Sequence, residues 1–387
     1  MTAFVASCSS DKQFGGDLAY IDVRKNYPEK EIILTDIADV TYLHLNTDDD
    51  DYLYKGSINY VTENTIVVED DVSGSFLFFS RDGNPKSRFN RRGNGPEEYV
   101  FAFAIIYDEA ADDLFVGRRY DIMVYSSTGM FKRKITLPQG AMADGRMVSF
   151  DEHTLFFYDQ SAEAKRAGFI VSDETNISAK DDITPFYRIS KKDGEVLDYV
   201  EIPYVPIFLG IYLNGQRIPG RPSRLMKCPE GVLLCSVETD TLFLYKHDKS
   251  LTPILYKTPS LASLDPKVYL NNYFERGQYQ FISVCTAREG EVYPGVFPVT
   301  HYARNKRTGE VFRPKLLLPD YKGKEFIINP RGVGNIYENG YLFELDLIEL
   351  KQAYRENKLS SELKELVATL NEDEDNNVFM LVKFKNQ

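Results

Sequence analysis

The stretch Ser75–Tyr99, SFLFFSRDGNPKSRFNRRGNGPEEY, decides the fold. An apolar run from Phe76 leads into Asp82-Gly83, a second run ends at Phe89, and a loop follows, Arg91-Arg92-Gly93-Asn94-Gly95-Pro96-Glu97-Glu98-Tyr99. Apolar residues at period two around an X-Gly pair are the signature of a β-hairpin, because the turn needs a positive backbone angle that glycine adopts cheaply.

The pattern recurs. Apolar or aromatic residues stand seven and five places before Gly83 and Gly129 (Phe76 and Phe78, Ile122 and Val124) and six places after (Phe89 and Ile135). Gly194 fits with Tyr187, Ile189 and Val200, and a fourth copy centres on Lys249 with Leu242, Leu244 and Leu255. Around Gly309 the turn survives, but its flanks are poor. The anchors are 46 to 65 residues apart. Such an interval, with insertions in some copies, marks the blades of a β-propeller. A blade buries its faces only against neighbouring blades, so the copies must close into a ring. Five anchors and a composite closing blade predict an all-β, six-bladed propeller with short helices near the C-terminus.

A closed propeller accommodates 387 residues as one domain. The expected division is a truncated lipoprotein signal and tether over 1–30 and a single propeller over 31–387. Tyr (26) and Phe (25) are abundant while Trp is absent, which suits pleated, half-buried surfaces. The net charge of −12 argues against nucleic acid, whose recognition needs a basic footprint. No run reaches the length needed to span a bilayer. Val5-Ala6-Ser7-Cys8 has the form of a bacterial lipobox, in which small residues precede a cysteine that is lipidated, although only seven residues precede Cys8 and none is basic. Cys235 and Cys285, in strand-like apolar runs, read as buried small hydrophobes, and a Cys228 to Cys235 bridge stays open.

With these features in view, Asp82-Gly83 followed by RRGNGPEEY resembles the aspartate-glycine turn and R-x-G-x-G-P-G-E-Y loop of the NHL-like six-bladed β-propeller family found mainly as lipoproteins of host-associated Gram-negative bacteria. The ending ELKELVATLNEDEDNNVFMLVKFK is similar to that family's short helix, acidic turn and last strand. Glu97 stands where the family usually has glycine, and Asn377 where proline is common, which affects local loop geometry. The resemblance implies a lipid-anchored protein of the cell envelope, on the periplasmic or outer-membrane surface, expected to be monomeric.

Ile66-Val67-Val68 and Leu114-Phe115-Val116 read as inner strands of the first two blades. Glu31 to Thr47 reads as a strand pair that helps close the ring, and the four aspartates from Asp48 to Asp51 as a solvated loop lacking calcium-loop spacing. A polar insertion spans residues 140 to 185, with the sequon Asn176-Ile177-Ser178. Two readings are open for Tyr204 to Pro222: the lining of a rim pocket, or an ordinary strand with Asn214-Gly215 as its hairpin turn. Asp265-Pro266 has the form of a helix start, predicting a helix to about Tyr273 between blades four and five. Asp346 with Glu349, and Ser360, read as caps of two helices whose apolar stripes include Leu347, Leu350 and Tyr354, and Leu363, Leu366, Val367 and Leu370. Val378 to Phe384 is expected to pair with the N-terminal strands.

Chemistry is sparse in the sequence. His44, His153, His247 and His301 are far apart, and no nucleophile elbow, P-loop or dinucleotide fingerprint appears, so no cofactor or metal is expected. The ligand-binding candidates are Arg91, Arg92, Glu98 and Tyr99 of the glycine loop, with Arg118, Arg119 and Asp121 after the second blade's inner strand. Two roles are open to the loop: a blade connection locked by internal contacts, or two arginines offered to an anion. Glu69, Asp70, Asp71, Asp121 and Asp159 are the carboxylates expected near the funnel. The leading expectation is a binding module for an unidentified ligand or protein, and the alternative is a hydrolase or lyase acting on a glycan or peptide with two funnel carboxylates.

Overall fold

A computed structural model of the chain describes residues 18–47, 50–118, 120–138, 146–159, 184–204, 210–213, 216–219, 225–287, 297–329, 336–337 and 340–385. Among the described residues six four-stranded antiparallel units form the blades, five of them from successive strands, and Gly210–Leu213 pairs with Gln216–Pro219 as a separate hairpin. Blade 1 holds Ile58–Val61, Thr65–Glu69, Phe76–Ser80 and Pro85–Phe89, counted outward from the axis. Blade 2 holds Ala104–Asp108, Asp113–Gly117, Asp121–Tyr125 and Phe131–Thr136, and blade 3 Arg146–Ser149, Thr154–Tyr158, Phe186–Ser190 and Val196–Tyr199. Blade 4 is built from Leu225–Cys228, Gly231–Leu234, Thr241–Lys246 and Leu251–Thr258. Lys267–Arg276, Tyr279–Ala287, Val299–Asn305 and Val311–Leu317 make blade 5. The first strands of blades 1 to 4 touch one another in sequence around the axis.

Each blade's second strand lies between two neighbouring blades and is covered on both faces. Ile66, Val67 and Val68 are all fully buried, as are Leu114, Phe115 and Val116. Full burial of such a side chain contributes about 1.5–3 kcal/mol. This explains why these segments read as unbroken apolar runs rather than alternating ones. They are therefore the second strands, and the innermost are Ile58–Val61 and Ala104–Asp108, a correction to the sequence reading.

All five anchors close the hairpin between the third and fourth strands, and all five are left-handed: φ is 87° at Gly83, 81° at Gly129, 83° at Gly194, 68° at Lys249 and 73° at Gly309. In blade 1 the Gly83 amide donates to Ser80 O at 3.0 Å and the Ser80 amide to Asn84 O at 2.8 Å. The strand register then slips between Phe78 and Phe79, so the turn ends in a bulge whose one left-handed residue is the anchor. A second constraint acts at three seams. A β-carbon on Gly83 would lie 2.2 Å from His44 O, one on Gly129 2.6 Å from Phe89 Cβ, and one on Gly194 2.6 Å from Ile135 Cγ2. Each turn thus packs against the outer strand of the preceding blade. Gly309 has nothing within 4 Å of that position, and Lys249 occupies the blade 4 turn with its ammonium 3.9 Å from Asp198 of blade 3. The poor flanks of Gly309 also have a physical reason: Arg304, five places before it, donates to Gln280 at 2.9 Å, so a polar network stands where the other blades have apolar residues.

Blade 6 lacks that hairpin because the chain is open there. Its strands are Ile336–Tyr337, Gly340–Leu345, Val378–Phe384 and, outermost, Ala38–His44 from the other end of the chain. The last two pair over seven residues, from Val378↔His44 to Phe384↔Ala38, as the sequence predicts. The break in the sixth hairpin accounts for five anchors in a ring of six.

Several expectations change. From Ala19 onward the tether is part of the fold: Ala19–Asp22 adds a parallel fifth strand to blade 4 and Glu29–Ile33 one to blade 5. The Glu31 to Thr47 stretch is no strand pair, since its strands join blades 5 and 6 on either side of a helical turn at Leu34–Ile37. No helix follows Asp265-Pro266; that peptide bond is cis, and Lys267–Arg276 is the first strand of blade 5, paired with Tyr279–Ala287. Aromatic and β-branched residues on a doubly packed surface outweigh a local cap signal there. Near the C-terminus, Asp346 caps Leu347–Arg355 by accepting from the Glu349 amide at 2.9 Å, whereas Ser360 precedes Ser361–Thr369 without a side-chain cap bond. Leu347, Leu350, Leu363 and Val367 are buried in the closing core. Cys235 and Cys285 are buried as expected, and Cys228, Cys235 and Cys285 form no disulfide, so the Cys228 to Cys235 bridge is not formed.

Candidate functional site

Strands alternate in direction, so the turns between first and second strands lie on one rim and those between second and third strands on the other, where the Arg91–Tyr99 loop meets Val72 and Gly74. That loop is closed on itself. The Glu98 carboxylate accepts the Gly95 amide at 2.8 Å and fills the space beside Gly93, where a β-carbon would come within 2.0 Å of it. Tyr99 is buried between Phe76 and Tyr125, with ring centroids 5.4 and 6.0 Å away, and its hydroxyl donates to Gly74 O at 2.7 Å. Arg91 Nε donates to Gly129 O at 3.0 Å, tying the loop to the next blade's turn. Arg92 donates to Val72 O at 3.2 Å and lies over the Phe101 ring at 5.8 Å. Arg118 forms a fork with Asp121 and donates to Glu98 O at 2.8 Å. The structure therefore brings six of the seven ligand-binding candidates together and engages each with the protein's own groups; Arg119 lies outside the described residues, as do Cys8 and the Asn176 sequon.

The carboxylates expected in the funnel are not gathered there. Glu69, Asp70 and Asp71 lie at the Arg92 rim, at the far end of the second strand of blade 1. Burial, with Asp71 beside it, lifts the Glu69 carboxyl to about 7 against the opposing pull of Arg92. Asp70 accepts from the amides of Lys55, Val72 and Ser73. Asp121 is held by Arg118, and Asp159 is buried just after the second strand of blade 3.

A cavity lies at the other rim. It has a volume of about 400 Å³, is open to solvent, and is built at the turn ends of the first strands of blades 1 to 4. Blade 1 contributes Tyr60 and Thr62, blade 2 Tyr107, Asp108 and Glu109, blade 3 Ser149, Asp151, Glu152 and Lys191, and blade 4 Lys227. Asp108 accepts from the Lys191 ammonium at 2.6 Å, across the seam between blades 2 and 3. Glu109 accepts from the Thr65 hydroxyl and from both nitrogens of Asn64 at 3.2 Å. Asp151 accepts the amides of His153 and Thr154 at 2.9 and 2.7 Å. Glu152 meets His153 at 2.9 Å on the open side.

None of these residues was singled out in sequence. A signal existed: Thr62, Asp108 and Lys227 lie 21, 21 and 22 places before their blade anchors Gly83, Gly129 and Lys249, the polar end of each first strand. Among the described residues no three His, Cys, Asp or Glu side chains are placed to hold a metal ion, and no helix is long and apolar enough to cross a membrane.

Residues 9–191 match a family described as a 6-bladed beta-propeller. The chain is a six-bladed β-propeller. A Bacteroides fragilis protein provisionally described as exported superposes on it with a TM-score of 0.59 at 16% identity, covering 92% of this chain and 99% of that one. At that identity the likeness shows the propeller fold alone. The Pan2 WD40 domain of Neurospora crassa (TM-score 0.34, 10% identity, 71% and 75% coverage) and a functionally unknown protein of Desulfotomaculum acetoxidans (0.36, 11%, 76% and 80%) are more distant, and those two carry no argument. No curated protein matches the chain.

Proposed function

We propose that this propeller is a non-catalytic binding module of the cell envelope that takes a small polar ligand in the axial cavity. The observation that carries the reading is the cavity itself, a solvent-open volume of about 400 Å³ walled by polar groups from four different blades. Its size lies within the range of small-molecule sites, and convergent polar groups from separate elements fix a ligand's orientation. Acid and base catalysis would need two free carboxylates at a set separation. Asp108 is spent on Lys191, Glu109 on Thr65 and Asn64, and Asp151 on backbone amides, which favours binding over hydrolysis.

The envelope address draws on the lipobox-like Val5-Ala6-Ser7-Cys8 and on the structural likeness to a protein described as exported. Mass spectrometry of the native protein should find a diacylglycerol group on Cys8; an unmodified N-terminus beginning at Met1 refutes the anchor. For the cavity, thermal unfolding is followed against a set of small polar metabolites with the wild type and with Thr62→Trp, whose indole would take up part of the volume. A ligand that binds the native state raises Tm by mass action. Stabilisation of the wild type that Thr62→Trp loses supports the reading. Equal stabilisation of both proteins, or none by any metabolite, overturns it.

A further inference from the structure

The cavity's charges are unevenly engaged. Asp108, Glu109, Asp151, Glu152 and Lys191 all have hydrogen-bond or ion-pair partners within the protein. Among the described residues, Lys227 alone of the cavity's charged side chains has none. It stands on the first strand of blade 4, lining the cavity and exposed to its solvent. Partial desolvation by the cavity walls draws its ammonium below the ordinary lysine value, with Lys191 adding to the effect and Asp108 opposing it. With Lys191 held by Asp108, the Lys227 ammonium is the cavity cation whose three donors are left to a ligand anion.

The remaining wall limits which anion fits. Four carboxylates and two lysines line the cavity, a formal balance of −4 + 2 = −2. Each further negative charge on a ligand meets that field, so one charge is favoured over two. The hydroxyls of Thr62 and Ser149 and the carbonyls and carboxylates beside them offer hydrogen bonds to ligand hydroxyls. We propose that the axial cavity binds a small hydroxylated monocarboxylate of the sugar-acid class, with its carboxylate on the Lys227 ammonium. This rests on the axial cavity being the binding site.

Calorimetric titration with three probes of similar size tests it: D-glucuronate, neutral D-glucose and dianionic D-glucose 6-phosphate, each with the wild type, Lys227→Met and Lys227→Arg. Glucuronate should bind the wild type best, lose about tenfold or more in affinity in Lys227→Met, and be largely retained by Lys227→Arg, as expected for a charge-assisted contact. Glucose should be weak and indifferent to Lys227→Met. Glucose as tight as glucuronate, or glucuronate unaffected by Lys227→Met, overturns the assignment while the cavity reading stands. Tighter binding of glucose 6-phosphate overturns the monocarboxylate class. No saturable binding of any probe overturns the assignment too, and the metabolite comparison with Thr62→Trp then decides the cavity reading separately.

Discussion

Replacing Gly129 by alanine separates two demands that the turn glycines meet together. Gly129 and Gly309 are both left-handed, with φ of 81° and 73°. Alanine costs about 1–2 kcal/mol in that region at either site, offset at both by the roughly 0.4–1 kcal/mol gained from a less flexible unfolded chain. The neighbours differ. A methyl at Gly129 would lie 2.6 Å from Phe89 Cβ and Cγ and 2.8 Å from Cδ2, while at Gly309 nothing is within 4 Å. Phe89 cannot swing away freely, because its ring packs on Phe76 and Tyr125 at 5.5 and 5.6 Å. Forcing extra volume into such a core costs about 1–3 kcal/mol. Gly129→Ala should therefore destabilise more than Gly309→Ala by that amount. Urea unfolding read by far-UV circular dichroism suits a chain without tryptophan, and unchanged m-values would show that stability and not compactness has changed. In a Phe89→Ala background the excess cost of Gly129→Ala should shrink, because the Cγ and Cδ2 contacts go while the Cβ contact stays. Equal losses at Gly129 and Gly309, within about 0.5 kcal/mol, would refute the claim that the glycine spaces the blade 1 to blade 2 seam.

Three further outcomes are expected. Ile21, fully buried against blade 4 by the parallel strand, should cost about 2–5 kcal/mol on change to alanine; a neutral effect in urea unfolding would return this stretch to the role of tether. Tyr99→Phe removes the hydroxyl that donates to Gly74 O and should cost about 0.5–1.5 kcal/mol, read as a lowered denaturation midpoint without loss of fold. Glu69, whose carboxyl is lifted by burial to about 7, binds its proton more tightly folded than unfolded. Its contribution is full below the unfolded carboxylate value and is lost as pH rises through about 7, at most about 3 kcal/mol. Glu69→Gln should flatten that fall in stability between mildly acidic and neutral pH; an unchanged profile would remove Glu69 as its source.

The number of blades and the phase of their turns were legible because a hairpin turn is a local device: its left-handed residue and flanking apolar pairs lie within about a dozen residues. The Asp346 cap was legible for the same reason, its acceptor and the Glu349 amide being three residues apart. Ala19–Asp22 and Glu29–Ile33 were not, since each pairs with a strand more than two hundred residues away and carries no turn beside it. Lys267–Arg276 misled because Asp265-Pro266 is a local helix signal, and only the facing strand Tyr279–Ala287 and the neighbouring blades overrule it. The glycine loop was found by its composition, yet sequence left open whether Arg91 and Arg92 face a ligand or the backbone; the carbonyls of Gly129 and Val72 occupy them here.

By itself, then, the sequence determined the repeat, the ring and the join of its two ends, because each is written in short-range periodicity and in a last strand that needs a partner. Tertiary structure alone decided which side chains share the axis. Asp108, Lys191 and Lys227 come from three blades, and their meeting depends on how far each first strand extends and on which carboxylates the neighbouring blade neutralises. Charge pairing at a convergence of separate sheets acts through space and has no period along the chain.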